Sequence, residues 1–145
     1  MKTFFDSSAF AKRYIEETGS QVVEALCAAA TELALSIICI PEILSAFNRH
    51  VRERDLSHRQ YEKAKENLSE DIRDAVIVNL TPDVISTCTT ILESSLVRAM
   101  DALHVACAVH WGAELFVSAD KRQVSAAKKA GLQTRLVQGD SHQRN

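Results

Sequence analysis

Four acidic residues of the chain stand among apolar neighbours. They occur in the stretches TFFDSS, IPEILS, AMDALH and VSADKR, and they are Asp6, Glu42, Asp101 and Asp120. Isolated carboxylates are rarely left on a buried surface without a partner. If the four converge, their mutual repulsion raises the proton affinity of some of them unless a cation neutralises the charge. These residues in this setting predict a site for a hard divalent cation.

Mg²⁺ and Mn²⁺ are the ions that such a site would hold, because they prefer oxygen ligands and are commonly bound by carboxylates together with substrate phosphates. The corresponding chemistry is phosphodiester hydrolysis, in which a metal activates a water and stabilises the leaving oxygen. Each acid also has a structural alternative. Asp6, Glu42 and Asp101 could be helix caps or first-turn acids, and the helix dipole would favour them there. Asp120 could simply cap the helix that follows it.

The elements that must position these acids alternate between short apolar runs and longer helical patterns. The predicted strands are 2–5, 34–38, 75–79, 115–118 and 134–137. The predicted helices are 7–14, 20–30, 41–54, 58–74 after a Ser57 cap, 81–94, 99–111 and 121–130. Strands separated by helices, with several strands apolar on both faces, indicate a parallel sheet that is covered on each side. The predicted fold class is therefore α/β.

The acids are expected at one edge of this sheet. In an open parallel sheet, ligands bind outside the carboxyl ends of the strands, near the point where the strand order reverses. Asp6 directly follows the first predicted strand, and Asp120 follows the fourth after one alanine. Glu42 lies in the first turn of the helix after the second strand. Asp101 lies near the start of the apolar helix that leads into the fourth strand.

Length and composition fit one compact domain. The chain has 145 residues, of which 46% are hydrophobic and 25% charged, and we expect a single domain over 1–138 with a polar tail, 139–145. The sequence has no apolar stretch near the ~18 residues that cross a bilayer, so we expect a cytoplasmic protein with no membrane partner. The four cysteines share no short spacing, and reduced, mostly buried thiols are expected.

Basic residues are concentrated locally, although the formal net charge is only −2. One group lies between Arg49 and Lys65, and a second begins at Lys121. Charge runs of this kind are usually solvated helix faces. The alternative is a track for a phosphate backbone. The candidates for such contacts are Arg49, Arg52, Lys121 and Arg122.

Three stretches of the chain resemble the PIN domains of VapC-type toxins from bacterial toxin and antitoxin pairs. They are DSSAFAKRYIEETGS, PEILSAFNR and MDALHVACAVHWGAELFVSADKRQVSAAKKAGL. The resemblance extends from Lys2 to about Val137, and its most specific part is DALHVA followed by SADKR, together with the opening DSSA. The fold that it implies is a three-layer α/β/α domain with a central parallel sheet of about five strands.

The resemblance also implies an acidic ribonuclease centre that depends on Mg²⁺ or Mn²⁺. The residues that match the acids of the family by motif position are Asp6, Glu42, Asp101 and Asp120. It assigns Ser8 and Ser118 to positions beside this centre, where they would orient a carboxylate or a water. A cognate antitoxin and a homodimer are implied as well, and neither can be read from the spacing.

The predicted function is that of an endoribonuclease, the toxin of a VapBC-type pair, which hydrolyses RNA phosphodiesters with metal-activated water. It would leave a 3′-hydroxyl and a 5′-phosphate. Attack by an external water, rather than by the ribose hydroxyl, is expected because the sequence offers metal ligands but no convincing pair of histidines. His104 lies one helical turn after Asp101 and could face the site, but a packing role is favoured over a general base. Ser7 is interpreted as an ordinary residue of a helix start.

Two alternatives stay open. The first is a phosphotransfer domain that uses Asp6 as a phosphoryl acceptor. A haloacid-dehalogenase-like enzyme would want a second aspartate where Ser8 stands, and a response-regulator receiver would want an acceptor aspartate near Asn79. The second alternative is a catalytically inert binding module whose acids are only helix caps, and the presence of all four acids argues against it.

Overall fold

Five short strands form the central sheet. They are β1 (Lys2–Phe5), β2 (Glu32–Ser36), β3 (Val76–Val78), β4 (Leu115–Ser118) and β5 (Gln133–Leu136). All neighbouring pairs are parallel, and the strand order is β3-β2-β1-β4-β5. The computed structural model describes residues 1–137, so the predicted tail, 139–145, lies outside the described residues. The predicted α/β class with a five-stranded parallel sheet is confirmed.

Helices connect the strands. Within residues 1–137 they are α1 (Ser7–Phe10), α2 (Ser20–Ala29), α3 (Cys39–Arg52), α4 (His58–Asp74), α5 (Pro82–Ser94), α6 (Ala99–Trp111) and α7 (Lys121–Lys129). Their ends follow local signals. Ser57 and Gln60 form a capping box at the start of α4, and Thr81 caps α5 ahead of Pro82. Gly112 ends α6 with a φ of 80°. None of these helices combines the length and the apolar character that a membrane span requires.

The helices cover both faces of the sheet. Successive residues of a strand point to opposite faces. Phe4 and Phe116 therefore pack against α5, α6 and α7, whereas Phe5 and Val117 pack against α1, α2, α3 and α4. All four side chains are fully buried. Since burial of one such side chain contributes about 1.5–3 kcal/mol, these contacts hold the two helical layers on the sheet. The predicted three-layer arrangement is confirmed.

Several elements end at other residues than predicted. The strand predicted as 34–38 begins at Glu32, because Glu32 pairs with Lys2 at the start of β1. The helix predicted as 7–14 is the short α1 followed by a 3₁₀ turn, Ala11–Arg13. Helix α3 begins at Cys39, before Pro41. A proline is tolerated at this place because the N–H groups of the first helical turn make no hydrogen bond within the helix. These differences leave the predicted order of elements unchanged.

The strand order reverses between β1 and β4. Helices α1 and α2, which follow β1, lie on one face of the sheet, and α7, which follows β4, lies on the other. The two strands pair as far as Phe5 and Val117. Beyond this pair, the segment after β1 turns to one face of the sheet and the segment after β4 turns to the other. A crevice at the carboxyl ends of the strands is the result. Helices α1, α3, α6 and α7 all begin at this edge.

Candidate active site

A cleft of about 300 Å³ lies at the carboxyl ends of β1 and β4. All four acids that the sequence singled out line it, namely Asp6, Glu42, Asp101 and Asp120. Asp6 and Asp120 are the N-caps of α1 and α7. Glu42 and Asp101 occupy the first turns of α3 and α6. The helix-start interpretation is therefore also correct, and the positive ends of four helix dipoles favour the ionised acids.

Asp6 is the most enclosed of these acids, with 1% of its surface exposed. Its carboxylate accepts hydrogen bonds from the N–H of Ala9 (2.9 Å), the hydroxyls of Ser8 (2.9 Å) and Ser118 (2.6 Å), and the side-chain amide of Gln123 (2.7 Å). A carboxylate has about four lone-pair sites, so these four donors use its acceptor capacity. Burial raises the pKa of Asp6, and the charge of His104 and the hydrogen bonds only oppose the rise.

Ser8 and Ser118 tie Asp6 to the loop between β4 and α7. Both hydroxyls donate to the Asp6 carboxylate. The Ser8 oxygen also accepts the N–H of Ala119 at 3.0 Å, and the Ser118 oxygen accepts the N–H of Asp120 at 2.9 Å. Each hydroxyl is therefore fixed from two sides, which is the geometry of a side chain that orients a carboxylate. Their part in catalysis stays a prediction.

Glu42 is held by polar contacts from α1 and α6. Nε2 of His104 donates to Oε1 of Glu42 at 2.6 Å, and the Ser7 hydroxyl donates to the same oxygen at 2.6 Å. Burial alone would raise the pKa of Glu42, but these hydrogen bonds and the charge of His104 hold it below its ordinary value. Glu42 is thus kept ionised while 29% of its side chain stays exposed.

Asp101 and Asp120 both line the cleft and repel each other as like charges. Burial, and then the negative charges of Asp120 and Glu42, raise the pKa of Asp101. Asp120 is partly exposed, and its carboxylate accepts the N–H of Arg122 at 2.8 Å. The two acids therefore keep part of their surface free toward the cleft, in contrast to Asp6.

Gln123 is a polar residue of this site that the sequence interpretation missed. It lies on α7 with 2% of its surface exposed. Its Nε2 lies 2.7 Å from Oδ2 of Asp6 and 3.4 Å from Oδ1 of Asp101, and so bridges the two acids. Helical spacing was the available signal, since the buried Ala126 and Ala127 follow three and four residues later on the same face.

His104 and Ser7 were given roles that are incomplete. His104 is buried on α6, as a packing histidine would be, but its Nε2 binds Glu42. Its position one turn after Asp101 was the signal that it faces the site. Ser7 does begin a helix, but its hydroxyl also donates to Glu42. The sequence offered no sign of that contact.

The cleft fits a hard divalent cation, because its lining includes four carboxylates and the hydroxyls of Ser7 and Ser8, and such ions prefer oxygen ligands. The four acids nevertheless do not close on one point. In the described part of the chain, the one trio of acidic, histidine or cysteine side chains with all ligand atoms within 4.8 Å is His50, Glu53 and Asp55 at the end of α3. Two of these three are exposed, and His50 already contacts Asp55. The ligand role of the predicted acids stays a prediction.

The basic candidates occupy different places. Arg49 lines the cleft. Arg52 is exposed farther along α3 and is not among the residues that line the cleft. Lys121 and Arg122, at the start of α7, line a neighbouring groove together with Leu96. Of the four basic candidates, Arg49 is the one that lines the cleft.

Known proteins share both the sequence pattern and the fold of this chain. Ribonuclease VapC45 from Mycobacterium tuberculosis is 29% identical over 139 residues, which cover 94% of this chain and 96% of that protein. The fold is similar to that of VapC20 from Mycobacterium tuberculosis, described as a toxin that cleaves the sarcin-ricin loop. Its TM-score is 0.66 and its identity 18%, and the match covers 90% of this chain and 95% of VapC20.

A second structure with the same fold is a toxin-antitoxin complex from Klebsiella pneumoniae. Its TM-score is 0.65 and its identity 14%, and the match covers 85% of this chain and 90% of the other. At such identities the two structural matches establish the fold alone. The sequence model of the PIN domain matches residues 3–129, which is most of the chain and includes all four acids of the cleft. The chain therefore belongs to the PIN domain family.

Proposed function

We propose that this protein is a metal-dependent endoribonuclease, the toxin of a VapBC-type toxin and antitoxin pair. The observation that carries the proposal is the meeting of four acids from four helix starts in one cleft at the reversal point of the sheet. Membership of the PIN domain family supports it, as does the likeness to a protein named ribonuclease VapC45.

The residues that would hold Mg²⁺ or Mn²⁺ are Asp6, Glu42, Asp101 and Asp120. A bound ion would supply the positive charge that lowers the pKa of a water and stabilises a leaving oxygen. The chain prepares its own ligands for this task. His104 and Ser7 keep Glu42 ionised, and the hydroxyls of Ser8 and Ser118 fix the direction of the Asp6 carboxylate. Attack by water on an RNA phosphorus, with cleavage of the bond to the 3′-oxygen, would leave a 3′-hydroxyl and a 5′-phosphate.

RNA would be held mainly through its backbone. The formal net charge of −2 gives no general attraction to nucleic acid. The local position of each basic residue therefore determines whether it can contact a phosphate. Arg49 stands at the cleft itself, whereas Lys121 and Arg122 would contact phosphates farther along the strand. The exposed Arg52 is the weakest of the four candidates.

A cognate antitoxin is the protein partner that we propose. The proposal is supported by the similarity in fold to a chain of the toxin-antitoxin complex from Klebsiella pneumoniae. An antitoxin segment that covers the acidic cleft would block the substrate. The test is whether the product of a small open reading frame next to this gene co-purifies with the chain.

We also propose a homodimer, supported by the exposed apolar side chains of Leu92, Leu96 and Met100. Light scattering of the purified chain tests this proposal.

The two alternative functions have less support. A phosphoryl acceptor must be reached by its donor, but Asp6 is 1% exposed and its oxygens accept hydrogen bonds from four donor groups. An inert module would need no pair of serine hydroxyls on Asp6 and no histidine on Glu42, because helix capping uses neither. The nuclease proposal accounts for both sets of contacts.

Sequencing of RNA 5′ ends after induced expression tests the proposal in cells. Expression of the wild type should create new 5′-phosphate ends at defined positions, and expression of Asp101→Asn should not. Equal sets of ends in the two cultures would argue against a role of the cleft. The absence of new ends with the wild type would argue against the nuclease itself.

A further inference from the structure

Gln123 has a feature that packing does not explain. The side-chain amide is buried, and its Nε2 donates toward Asp6 and Asp101. The other end of the amide, Oε1, is buried without a hydrogen-bond partner among residues 1–137. A buried polar atom without a partner is destabilising, and such atoms are few in folded proteins. The unpartnered oxygen therefore calls for a ligand or for a second position of the amide.

The surroundings of Asp6 suggest which donor can leave. Four donors use the lone pairs of its carboxylate, so a cation can bind there only if one of them withdraws. The hydroxyls of Ser8 and Ser118 are held by backbone N–H groups of the following loop, and the N–H of Ala9 belongs to α1. The amide of Gln123 is the remaining donor. Its other contact among the described residues is the longer one with Asp101, at 3.4 Å.

We propose that Gln123 is a positioning residue for the metal and that its side-chain amide adopts two orientations. In the metal-free protein its NH₂ group bridges Asp6 and Asp101 in place of a cation. When a cation is held by these two acids, the amide turns about its last torsion and presents Oε1 to the ion, directly or through a water. The proposal rests on the metal site of the proposed function.

The chemistry of the amide fits both orientations. An NH₂ group between two carboxylates offsets part of their repulsion, whereas an amide oxygen in the same place would add to it. Once a hard cation is present the preference reverses, since amide oxygens are ligands of such ions. The last torsion of a glutamine is soft and roughly two-fold, so the turn needs no movement of α7. One rotation removes the competing donor and supplies an oxygen.

Substitution of Gln123 by Glu distinguishes the two orientations, because each depends on a different end of the amide. Gln123→Glu keeps an oxygen for the ion but loses the NH₂ bridge and adds a third charge. Without metal, its melting temperature should fall by several degrees relative to the wild type. Its affinity for Mn²⁺, measured by calorimetry on protein freed of metal with EDTA, should rise about 10-fold. Gln133→Glu is the matched control, because Gln133 is exposed at the opposite edge of the sheet and should change neither value.

The side-chain NH₂ resonances of Gln123 in the wild type give a second readout, which does not depend on the folding of a variant. Addition of diamagnetic Mg²⁺ should shift them saturably as the bond to Asp6 is lost. A shift at saturation together with tighter Mn²⁺ binding by Gln123→Glu supports the proposal. Unchanged resonances at saturation overturn it, as does a Mn²⁺ affinity of Gln123→Glu within twofold of the wild type. A wild type that binds neither ion overturns the metal site and this inference together.

Discussion

The hydroxyl of Ser118 donates a hydrogen bond of 2.6 Å to Oδ2 of Asp6, so the last residue of β4 fixes the first residue after β1. The hydroxyl oxygen of Ser118 in turn accepts the N–H of Asp120. We expect Ser118→Ala to lower the free energy of unfolding by about 1–3 kcal/mol, because it leaves polar groups without partners. Ser118→Thr keeps the hydroxyl and should retain most of the stability. Urea unfolding of the three proteins checks this, and equal midpoints would show that the bond is not important.

Asp6 and Asp101 should respond differently to the same substitution. From the sequence alone, asparagine at either position removes a repelling charge and leaves folding stability unchanged or higher. The structure limits this to Asp101→Asn, because among residues 1–137 the Asp101 carboxylate accepts a single, long hydrogen bond, from Gln123 at 3.4 Å. Asp6→Asn should destabilise the metal-free protein by about 1–3 kcal/mol, since an amide nitrogen would face donors. Urea unfolding in EDTA distinguishes the two variants.

The benefit of Asp101→Asn should depend on pH. Burial and the charge of Asp120 raise the pKa of Asp101 above its ordinary value of 3.8. The ionised form is therefore disfavoured in the folded state, and this cost is absent below the unfolded pKa and complete above the raised one. Asp101→Asn should match the wild type in stability near pH 3 and exceed it at pH 7. A difference that stays constant over this range would contradict the raised pKa.

Glu42 should show the opposite dependence. Burial would raise its pKa, but the hydrogen bonds from His104 and Ser7 hold it below the ordinary value of 4.5. A lowered pKa contributes stability that is present above the unfolded value and is lost as the pH falls through the folded one. The stability difference between wild type and Glu42→Gln should therefore be constant from pH 7 to about 5 and shrink below 4.5. Glu93→Gln, on the exposed surface of α5, is the control.

Arg49 and Arg52 provide a matched pair for RNA binding. Arg49 lines the cleft, whereas Arg52 is exposed outside it. In the Asp101→Asn background, where RNA should bind without being cut, Arg49→Ala should weaken binding. It should also flatten the plot of log affinity against log salt by about 0.7, the value for one lost phosphate contact to a single strand. Arg52→Ala should change little, and equal effects of the two would argue against a path through the cleft.

The fold could be predicted because its signals are local. Apolar runs such as Thr3 to Phe5, and stop signals such as Gly112, determine the order of strands and helices. The four acids could be found as well, because each follows a strand or starts a helix at the edge where ligands bind. The exact start of β2 could not, since pairing with β1 sets it.

The supporting side chains could not be predicted in the same way, because their roles arise from contacts distant in sequence. Ser7 is 35 positions from Glu42, and Gln123 is 117 positions from Asp6. Helical spacing indicates that Gln123 is buried, but no local pattern identifies Asp6 as its partner, and a serine at a helix start is common for other reasons. His104 was recognisable as facing the site, but its partner was not.

The cleavage of RNA by the purified protein tests the central claim most directly. Wild type freed of metal with EDTA should leave a labelled single-stranded RNA intact, and millimolar Mg²⁺ or Mn²⁺ should restore cleavage with 5′-phosphate and 3′-hydroxyl ends. Asp101→Asn should be slower by on the order of 10²-fold or more under the same conditions. Cleavage that persists in EDTA, or that proceeds equally fast with Asp101→Asn, would contradict a metal-dependent nuclease site formed by these acids.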